Sequence, residues 1–272
     1  SNYLNKVFQS NISVAIAYDS RKFSKEFAQW SAKVFSANKI KVYLFSELRP
    51  TPELSFAIRK LKCNCGIVIT ASHNPKEYNG YKVYWQDGGQ LVPPQDSEIV
   101  AEIESLDYDA VNFSAKKEHI TYIDKDVDQA FIEASLKNGS FAELDKHRDD
   151  VTIVFTPLHG TSVTIIPEVL KGAGYKNVHI VEEQRTPNGN FPTVKSPNPE
   201  EPEALKMALE LAEEKNADIV IGTDPDCDRL GIAVRNNEGK LQLLNGNQTM
   251  VVMTDFLLDL YFSNNKPKGN EF

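Results

Sequence analysis

The 272-residue sequence has few cysteines, no leader-like N-terminus and no long apolar run. Its three cysteines are an odd number, whereas a secreted fold of this size more often carries paired ones. The first residues lack the apolar core of a signal peptide, and no segment approaches the about 20 apolar residues of a membrane span. We therefore expect a cytoplasmic protein with no membrane partner.

Positive charge is also scarce. Lys and Arg total 30 against 38 Asp and Glu, so the net charge is −8. Proteins that bind nucleic acid neutralise its phosphate backbone with a basic stripe, and this sequence has none. We expect no nucleic-acid partner. Any phosphate that this chain binds must be neutralised by a few nearby Lys or Arg side chains.

The cysteines also argue against a zinc site. Cys63 and Cys65 are separated by one residue, whereas zinc ligands are spaced more widely and number four. We interpret Cys65 as a small residue that enters a buried strand. The composition, with 41% hydrophobic and 25% charged residues, is ordinary for a globular protein, and the length allows two cores.

Short β-branched runs alternate with amphipathic segments in the first half of the chain. Five large apolar residues recur at helical spacing, and we expect them to face the core: Phe23, Phe27, Trp30, Val34 and Phe35. Residues 108–126 have no clear period and are interpreted as the approach to a domain boundary. The predicted strands are 12–18, 39–45, 66–70 and 81–85, and the predicted helices are 22–38, 51–61, 95–106 and 127–137.

The same pattern restarts near residue 150, with a polar loop at 182–201 whose length is typical of functional connections. The alternation predicts an α/β fold with two successive domains, each with a mostly parallel mixed sheet flanked by helices. We place the domains at residues 1–138 and 139–245, and the start of a truncated third domain at 246–272. The predicted strands are 151–155, 177–181 and 217–222, and the predicted helices are 162–173, 202–215 and 250–262.

The most polar loop of each half directly follows a buried strand. GIVIT at 66–70 leads to Ser72 and His73, and DIVIG at 218–222 leads to an acidic loop. A serine at the end of a buried strand is exposed on a rigid support and is suited to act as a nucleophile. The alternative is that Ser72 and Asn74 only cap a turn. Both loops are expected at the carboxyl ends of parallel strands, where α/β sheets place their sites.

The acidic loop GTDPDCDR at 222–229 brings three carboxylates close together. Each pair repels by about 1 kcal/mol in water and about 4 kcal/mol at the effective dielectric of a protein surface, so a bound cation would be stabilising. An EF-hand does not fit, because Arg229 and Arg235 take the sixth and twelfth positions, where glycine and glutamate are required. A solvated acidic turn is the alternative.

The sequences of the serine loop and the acidic loop resemble those of a known family. TASHNP at 70–75, followed by NGYK at 79–82, resembles the phosphoserine loop of the α-D-phosphohexomutases, the phosphoglucomutase and phosphomannomutase superfamily, and GTDPDCDR resembles that family's metal loop. The resemblance implies that Ser72 carries a phosphoryl group, donates it to a hexose monophosphate and recovers it from the other end of a sugar bisphosphate. It also implies a Mg²⁺ ion held by the three aspartates, with the phosphoserine as a further ligand.

The resemblance extends to the charged groups that stabilise phosphoryl transfer. It implies Lys82 as the general acid and base. A lysine that acts as a base needs a pKa lowered towards about 7 to 8, and a nearby magnesium ion and arginines would lower it. The alternative is that Lys82 is a solvent-facing strand residue. TPLHGT at 156–161 resembles the opening loop of the family's second domain and could meet an anion, although a helix cap is the alternative. The resemblance assigns catalysis to Ser72, Lys82, His73 and Arg21, phosphate contact to Arg229, Asn74 and His159, and magnesium binding to Ser72, Asp224, Asp226 and Asp228.

These assignments predict a magnesium-dependent isomerase of carbohydrate metabolism, which converts glucose 1-phosphate to glucose 6-phosphate or a related pair through a sugar 1,6-bisphosphate intermediate and activator. NGYKVYWQDGGQ at 79–90 and FPTVKSPNPEEPEAL at 191–205 are most similar to the phosphoglucomutase and phosphopentomutase branch. Because the family has four domains, we expect a fragment that is inactive as a mutase by itself and whose partners are a phosphosugar and the missing C-terminal domains. The alternative is a non-catalytic module that binds magnesium, phosphate or a partner.

Overall fold

The computed structural model describes residues 1–139 and 147–264. These residues form two α/β units, each built on a five-stranded mixed sheet with helices packed against it, which confirms the predicted fold class. The predicted domain boundary after residue 138 stays a prediction. Residues 265–272 of the predicted third domain lie outside the described residues.

The first unit has a largely parallel sheet with one antiparallel edge strand. Its strands are β1 (Ser13–Tyr18), β2 (Lys41–Phe45), β3 (Cys65–Ile69), β4 (Tyr81–Trp85) and β5 (Ile120–Ile123). Their order is β4-β3-β1-β2-β5, and only the β3–β4 pairing is antiparallel within this sheet. Its helices are α1 (Asn2–Val7), α2 (Ser24–Ala37), α3 (Thr51–Lys60) and α4 (Gln95–Glu104), and α5 (Lys125–Asn138) follows the last strand of the sheet.

The central strand β1 is buried along its whole length. Val14 and Ile16 pack on one face with residues of α2, and Ala15 and Ala17 pack on the other face with residues of α3. Burial of each large apolar side chain contributes about 1.5–3 kcal/mol. The loops at the carboxyl end of this sheet therefore stand on a rigid base.

The second unit combines three parallel strands with an antiparallel edge. Its strands are β6 (Thr152–Thr156), β7 (Asn177–Ile180), β8 (Ile219–Thr223), β9 (Leu230–Arg235) and β10 (Leu241–Leu244), and its helices are α6 (Ile166–Gly172), α7 (Glu182–Arg185), α8 (Lys206–Glu214) and α9 (Gly246–Asn264). Their order is β10-β9-β8-β6-β7, with parallel pairing among β6, β7 and β8 and antiparallel pairing at β9. None of the helices within the described residues is long and apolar enough to cross a membrane.

Several predicted elements need correction. β5 lies inside residues 108–126, where no element was predicted, because a four-residue edge strand is too short to establish a period. The predicted helix at 162–173 is divided into a 3₁₀ turn at Thr161–Thr164 and α6, which has a proline in its first turn. The predicted loop at 182–201 contains α7, and β9 and β10 were not predicted.

Only part of the predicted apolar stripe of α2 faces the core. Phe35 is buried as predicted, whereas Phe23, Phe27 and Trp30 are 62%, 37% and 51% exposed. The rest of the buried face of α2 is formed by small residues such as Ala28 and Ala32. Helical spacing defines a stripe on a helix, but it does not determine which of two stripes packs on a sheet. Here the small side chains allow α2 to pack more closely on the sheet.

Candidate active site

The two polar loops meet in one cluster. Ser72 follows β3 of the first unit, and Asp224 follows β8 of the second. The Ser72 hydroxyl donates a hydrogen bond to Asp224 Oδ2 at 2.7 Å, across 152 residues of sequence. Each loop lies at the carboxyl end of a strand in its own sheet, as predicted, and the two ends contribute to one cluster of side chains.

Ser72 is held in an unusual backbone conformation. Its φ of 53° lies in the left-handed region, where a residue other than glycine costs of order 1–3 kcal/mol. The conformation is fixed locally, because the Ser72 amide donates to Thr70 Oγ1 at 2.9 Å. The Ser72 hydroxyl also lies 3.2 Å from His73 Nδ1. Partial burial and the nearby Arg229 lower the pKa of His73, which favours the neutral ring beside the hydroxyl.

Arg21 lies beneath the serine loop and braces it. Its guanidinium is buried, contacts Asp19 at 3.3 Å and donates hydrogen bonds at 2.5–3.0 Å to four backbone carbonyls. The four acceptors are the carbonyl oxygens of Ser72, Asn74, Pro75 and Tyr78. The structure thus gives this arginine a positioning contact with the loop, and its planar fork is the group that can serve several acceptors at once.

The three aspartates of the second loop lie together. Asp224 and Asp226 are buried, Asp228 is exposed, and one oxygen from each lies within 4.8 Å of the other two. Asp224 Oδ1 accepts backbone hydrogen bonds from Asp228 and Arg229 at 3.1 and 3.0 Å. Burial, and then repulsion from Asp226, raises the pKa of Asp224 to about 8. This is the electrostatic cost that a bound cation would relieve.

Asp226 has one satisfied and one free oxygen. Oδ2 accepts from Lys82 Nζ at 2.9 Å and from Thr51 Oγ1 at 3.0 Å. Oδ1 is buried and has no hydrogen-bond partner among the described residues. A buried, unpaired carboxylate oxygen beside two further carboxylates is a suitable ligand for a hard divalent cation such as Mg²⁺. The residues present therefore fit the predicted metal.

Lys82 forms two ion pairs with the acidic loop. It lies on β4, and its ammonium is 2.9 Å from Asp226 Oδ2 and 2.9 Å from Asp228 Oδ2. Burial disfavours the ammonium, but the two carboxylates outweigh burial, so the pKa of Lys82 is raised. The lowered pKa expected from the sequence assumed a nearby magnesium ion and arginines, whereas the groups that contact the lysine among the described residues are these two carboxylates.

The remaining predicted residues take different positions. The Arg229 side chain is 42% exposed and lies 3.6 Å from Glu200 at the edge of the cluster. Asn74 is exposed, and its carbonyl accepts from Arg21. His159 is buried, and its ring nitrogens contact Thr186 O at 3.1 Å and Thr193 Oγ1 at 2.9 Å. The structure thus places His159 in contacts within the second unit and not in the Ser72 cluster.

The loop that contains His159 instead supports the acidic loop. A Cβ on Gly160 would lie 2.5 Å from Pro225 Cα, so only glycine permits this approach without a shift of backbone. The Thr161 amide also donates to Pro225 O at 2.8 Å. Helix capping was the alternative to anion contact for this stretch, and the observed contacts point to a third role in loop support.

Two further contacts were not predicted from the sequence. Thr51 was interpreted only as a helix start, yet it contacts Asp226 of the other unit. Gly189 and Phe191, in the 182–201 loop, pack on the loop that carries Arg21, with the Phe191 ring 5.1 Å from the guanidinium carbon. The length of that loop was the available signal, whereas no local pattern marks Thr51.

Comparisons with known proteins identify the family to which the chain is similar. Residues 1–110 match the family Phosphoglucomutase/phosphomannomutase, alpha/beta/alpha domain I, and residues 129–239 match alpha/beta/alpha domain II of the same family. A phosphoglucomutase of Staphylococcus aureus strain MRSA252 is 41% identical over 257 residues, which cover 94% of this chain and 46% of that relative. The chain spans about half the length of the curated relatives that it matches.

Solved structures share the fold. A protein from Thermus thermophilus superposes with a TM-score of 0.77 at 24% identity, over 95% of this chain and 55% of that one. A phosphoglucomutase/phosphomannomutase family protein from Burkholderia thailandensis superposes with a TM-score of 0.73 at 22% identity, over 94% and 53% of the two chains. At these identities the likeness establishes the two-unit architecture.

Proposed function

Because the chain belongs to the α-D-phosphohexomutases, the phosphoglucomutase and phosphomannomutase superfamily, we propose that it carries the phosphoryl-transfer residues of a sugar-phosphate isomerase. The observation that carries the proposal is the 2.7 Å hydrogen bond from Ser72 Oγ to Asp224 Oδ2, which joins the two polar loops. The proposed substrate is a phosphosugar. Glucose 1-phosphate is favoured because the 41% identical relative is named phosphoglucomutase.

Ser72 is the proposed phosphoryl carrier. A sugar hydroxyl attacks phosphorus, the bond from phosphorus to Ser72 Oγ breaks, and a bond forms between phosphorus and the sugar oxygen. One proton moves from the sugar hydroxyl to Ser72 Oγ, which ends as a free hydroxyl. Transfer back from the other phosphate of the resulting 1,6-bisphosphate restores the phosphoserine. The strained, braced serine loop supports this role, because transfer depends on positioning.

Lys82 is the proposed acid and base that moves this proton. Its contacts with Asp226 and Asp228 keep a proton on Nζ, so in this arrangement the lysine can donate. A Mg²⁺ ion held by the same aspartates would offset their negative charge and would lower the pKa of Lys82, so the lysine could then accept a proton.

Magnesium is the proposed cofactor, held by Asp224, Asp226, Asp228 and the phosphorylated Ser72. The free Asp226 Oδ1 supports this assignment. When bound, the ion supplies positive charge to phosphoryl oxygens and to the acidic loop. The proposed bisphosphate acts as both intermediate and activator, because it can load Ser72.

The proposed partners include further domains of a longer chain. Relatives are about twice as long as the region matched, and α9 is an apolar helix with little cover in the described structure. We propose that α9 begins a third domain that covers it and that sugar recognition lies beyond it. Residues 1–272 by themselves are then expected to be inactive as a mutase in a coupled assay, because the remote groups that position the bisphosphate would lie in those further domains. The most exposed large apolar side chains of α9 are Met250, Val251, Val252, Met253 and Leu257.

The predicted cytoplasmic location of the chain stays a prediction.

Phosphorylation of Ser72 provides the direct test. The chain is incubated with glucose 1,6-bisphosphate and Mg²⁺, and peptide mass spectrometry locates the added phosphoryl group. We expect it on Ser72, absent in Ser72→Ala and retained in Ser97→Ala, which changes an exposed serine on α4. An unmodified Ser72 in a chain that still binds Mg²⁺ would refute phosphoryl transfer and favour the non-catalytic module.

A further inference from the structure

Thr51 joins the first unit to the acidic loop of the second. Its amide donates to the backbone oxygen of Asp226 at 2.8 Å, and its hydroxyl donates to Asp226 Oδ2 at 3.0 Å. Both residues are buried, at 4% and 0% exposure. Two short bonds between the same residues, 175 positions apart in sequence, fix both the backbone and the carboxylate of Asp226 relative to α3.

The Thr51 hydroxyl is not used as a helix cap. α3 begins at Thr51, after an N-cap proline that forms no side-chain capping bond. A threonine at a helix start commonly satisfies local backbone amides, yet here its hydroxyl is directed to another unit. Stabilisation of α3 therefore does not explain the orientation of this side chain, whereas the contact with Asp226 does.

The two donors to Asp226 Oδ2 differ in rigidity. Lys82 reaches Oδ2 with a long flexible side chain that also contacts Asp228. Thr51 reaches it with a β-branched side chain of restricted rotation. A carboxylate held at one oxygen by a rigid donor cannot exchange its two oxygens freely, so Thr51 keeps Oδ1 as the oxygen without a donor.

The segment that leads into Thr51 is itself anchored. Arg49 donates two hydrogen bonds of 2.9 Å to the carboxylate of Asp128, at the start of α5. Bidentate pairs of this kind fix geometry as well as adding energy. Thr51 thus contacts Asp226 from a support that is tied to the rest of the first unit.

We infer that Thr51 is a positioning residue for cation binding, which holds Asp226 so that Oδ1 serves as the ligand atom. The inference rests on the proposed magnesium function. It adds that the affinity of the acidic loop for the ion depends on a hydroxyl of the first unit. Residues that orient a metal ligand typically change metal affinity about 10–100-fold when they are removed.

The test compares three variants of the 272-residue chain by titration calorimetry with MgCl₂ and by thermal unfolding. Thr51→Val keeps the shape but removes the hydroxyl, and we expect Mg²⁺ binding about 10-fold weaker. Thr51→Ser keeps the hydroxyl and should bind within about 2-fold of wild type. Ser55→Ala is the control, because it removes a hydrogen-bonded hydroxyl from the same helix, one turn away, where the acceptor is Gly88 O.

The outcomes separate this inference from the proposed function. Weak binding by Thr51→Val, with Thr51→Ser and Ser55→Ala like wild type, supports the inference. Equal affinity in wild type and Thr51→Val, with wild type binding Mg²⁺, overturns the inference alone. A wild-type chain that binds no Mg²⁺ overturns both. If Thr51→Val does not fold, Thr51→Ala replaces it under the same criterion, and loss of thermal stability without loss of affinity counts against the positioning role.

Discussion

Arg21 Nη2 donates a hydrogen bond of 2.7 Å to the backbone oxygen of Ser72, the residue whose hydroxyl reaches the acidic loop of the other unit. The same guanidinium serves three more carbonyls of the serine loop. This buried guanidinium is surrounded by carbonyl oxygens and fixes the path of the serine loop. Ser72, whose φ of 53° lies in the left-handed region, is near the start of that loop. The loop is thus held by the first unit before it contacts the second.

Arg21→Lys should therefore destabilise the chain although it preserves the charge. A lysine has one ammonium on a flexible stem and cannot replace the planar fork, so several buried carbonyls lose their donors. Because each unsatisfied group costs about 1–3 kcal/mol, we expect the free energy of unfolding to fall by about 3 kcal/mol. Urea unfolding measures this change.

The control for this substitution is Arg59→Lys, at an exposed arginine that makes one long bond to Ser55 O. It should change the free energy of unfolding by less than about 0.5 kcal/mol. If Arg21→Lys were as stable as Arg59→Lys, the four carbonyl contacts would not be important for the loop. Phosphorylation of Ser72 should fall in Arg21→Lys as well, because the hydroxyl loses its fixed position.

Asp226→Asn should remove magnesium binding. The amide has the shape of the carboxylate but lacks its charge, and hard divalent cations prefer charged oxygen ligands. We expect the dissociation constant for Mg²⁺ to rise by more than about 10-fold, measured by calorimetry. Asp109→Asn is the matched control, because it removes the same charge from an exposed residue in a 3₁₀ turn between α4 and β5. Equal affinities in the two variants would eliminate the proposed site.

Glu53 makes stability depend on pH. Burial, and then the neighbouring carboxyl of Asp128, raises the pKa of Glu53 to about 9 from its ordinary value of 4.5. Between these values the folded state binds more protons than the unfolded state, so the free energy of unfolding falls as pH rises. The largest slope for one group is about 1.4 kcal/mol per pH unit. Wild type should lose stability from pH 5 to pH 8.

Glu53→Gln removes this titration and should make the slope shallower, with the variant gaining stability relative to wild type as pH rises, whereas the raised pKa of Asp224 still contributes to the remaining slope. Urea unfolding at pH 5, 6, 7 and 8 gives the comparison. Glu104→Gln, at an exposed residue of α4, should retain the wild-type slope. A Glu53→Gln profile parallel to that of Glu104→Gln would show that Glu53 is ionised in the folded protein across this range.

The sequence was sufficient to predict the two loops because each is a contiguous string after a buried strand. GIVIT has no charged residue, DIVIG has only one, and both are rich in β-branched residues. The polar residues that follow each of them must therefore lie at the carboxyl ends of the strands. Ser72 and Asp224 could thus be expected to lie at comparable ends of two sheets. Their 2.7 Å contact could not be derived, because it depends on how two separately packed units dock.

The roles of single charged residues were harder to predict for the same reason. Arg21 could be recognised as a cation near the serine loop, but the carbonyls that it serves are defined by the folded path of that loop. The pKa of Lys82 is raised because of Asp226 and Asp228, which belong to the other unit. Thr51 has no local signal at all, since its partner lies 175 residues away.

The last prediction concerns the 182–201 loop, which joins the units on the side of Arg21. A Cβ on Gly189 would lie 2.6 Å from Ser20 O and 2.7 Å from Lys22 N, and both are backbone atoms that cannot rotate away. Gly189→Ala should therefore push the loop off the first unit and lower the free energy of unfolding by about 1–3 kcal/mol.

Small-angle scattering and thermal unfolding together measure this effect. We expect Gly189→Ala to have a lower melting temperature and a larger radius of gyration, because displacement of the loop also removes the Phe191 ring from Arg21. Gly89→Ala is the control, since its Cβ would meet only the side-chain carboxylate of Asp87, at 3.3 Å or more, in a turn of the first unit. If both variants had the wild-type radius and stability, the close approach at Gly189 would not hold the two units together, and the Ser72–Asp224 and Thr51–Asp226 contacts would have to maintain the site by themselves.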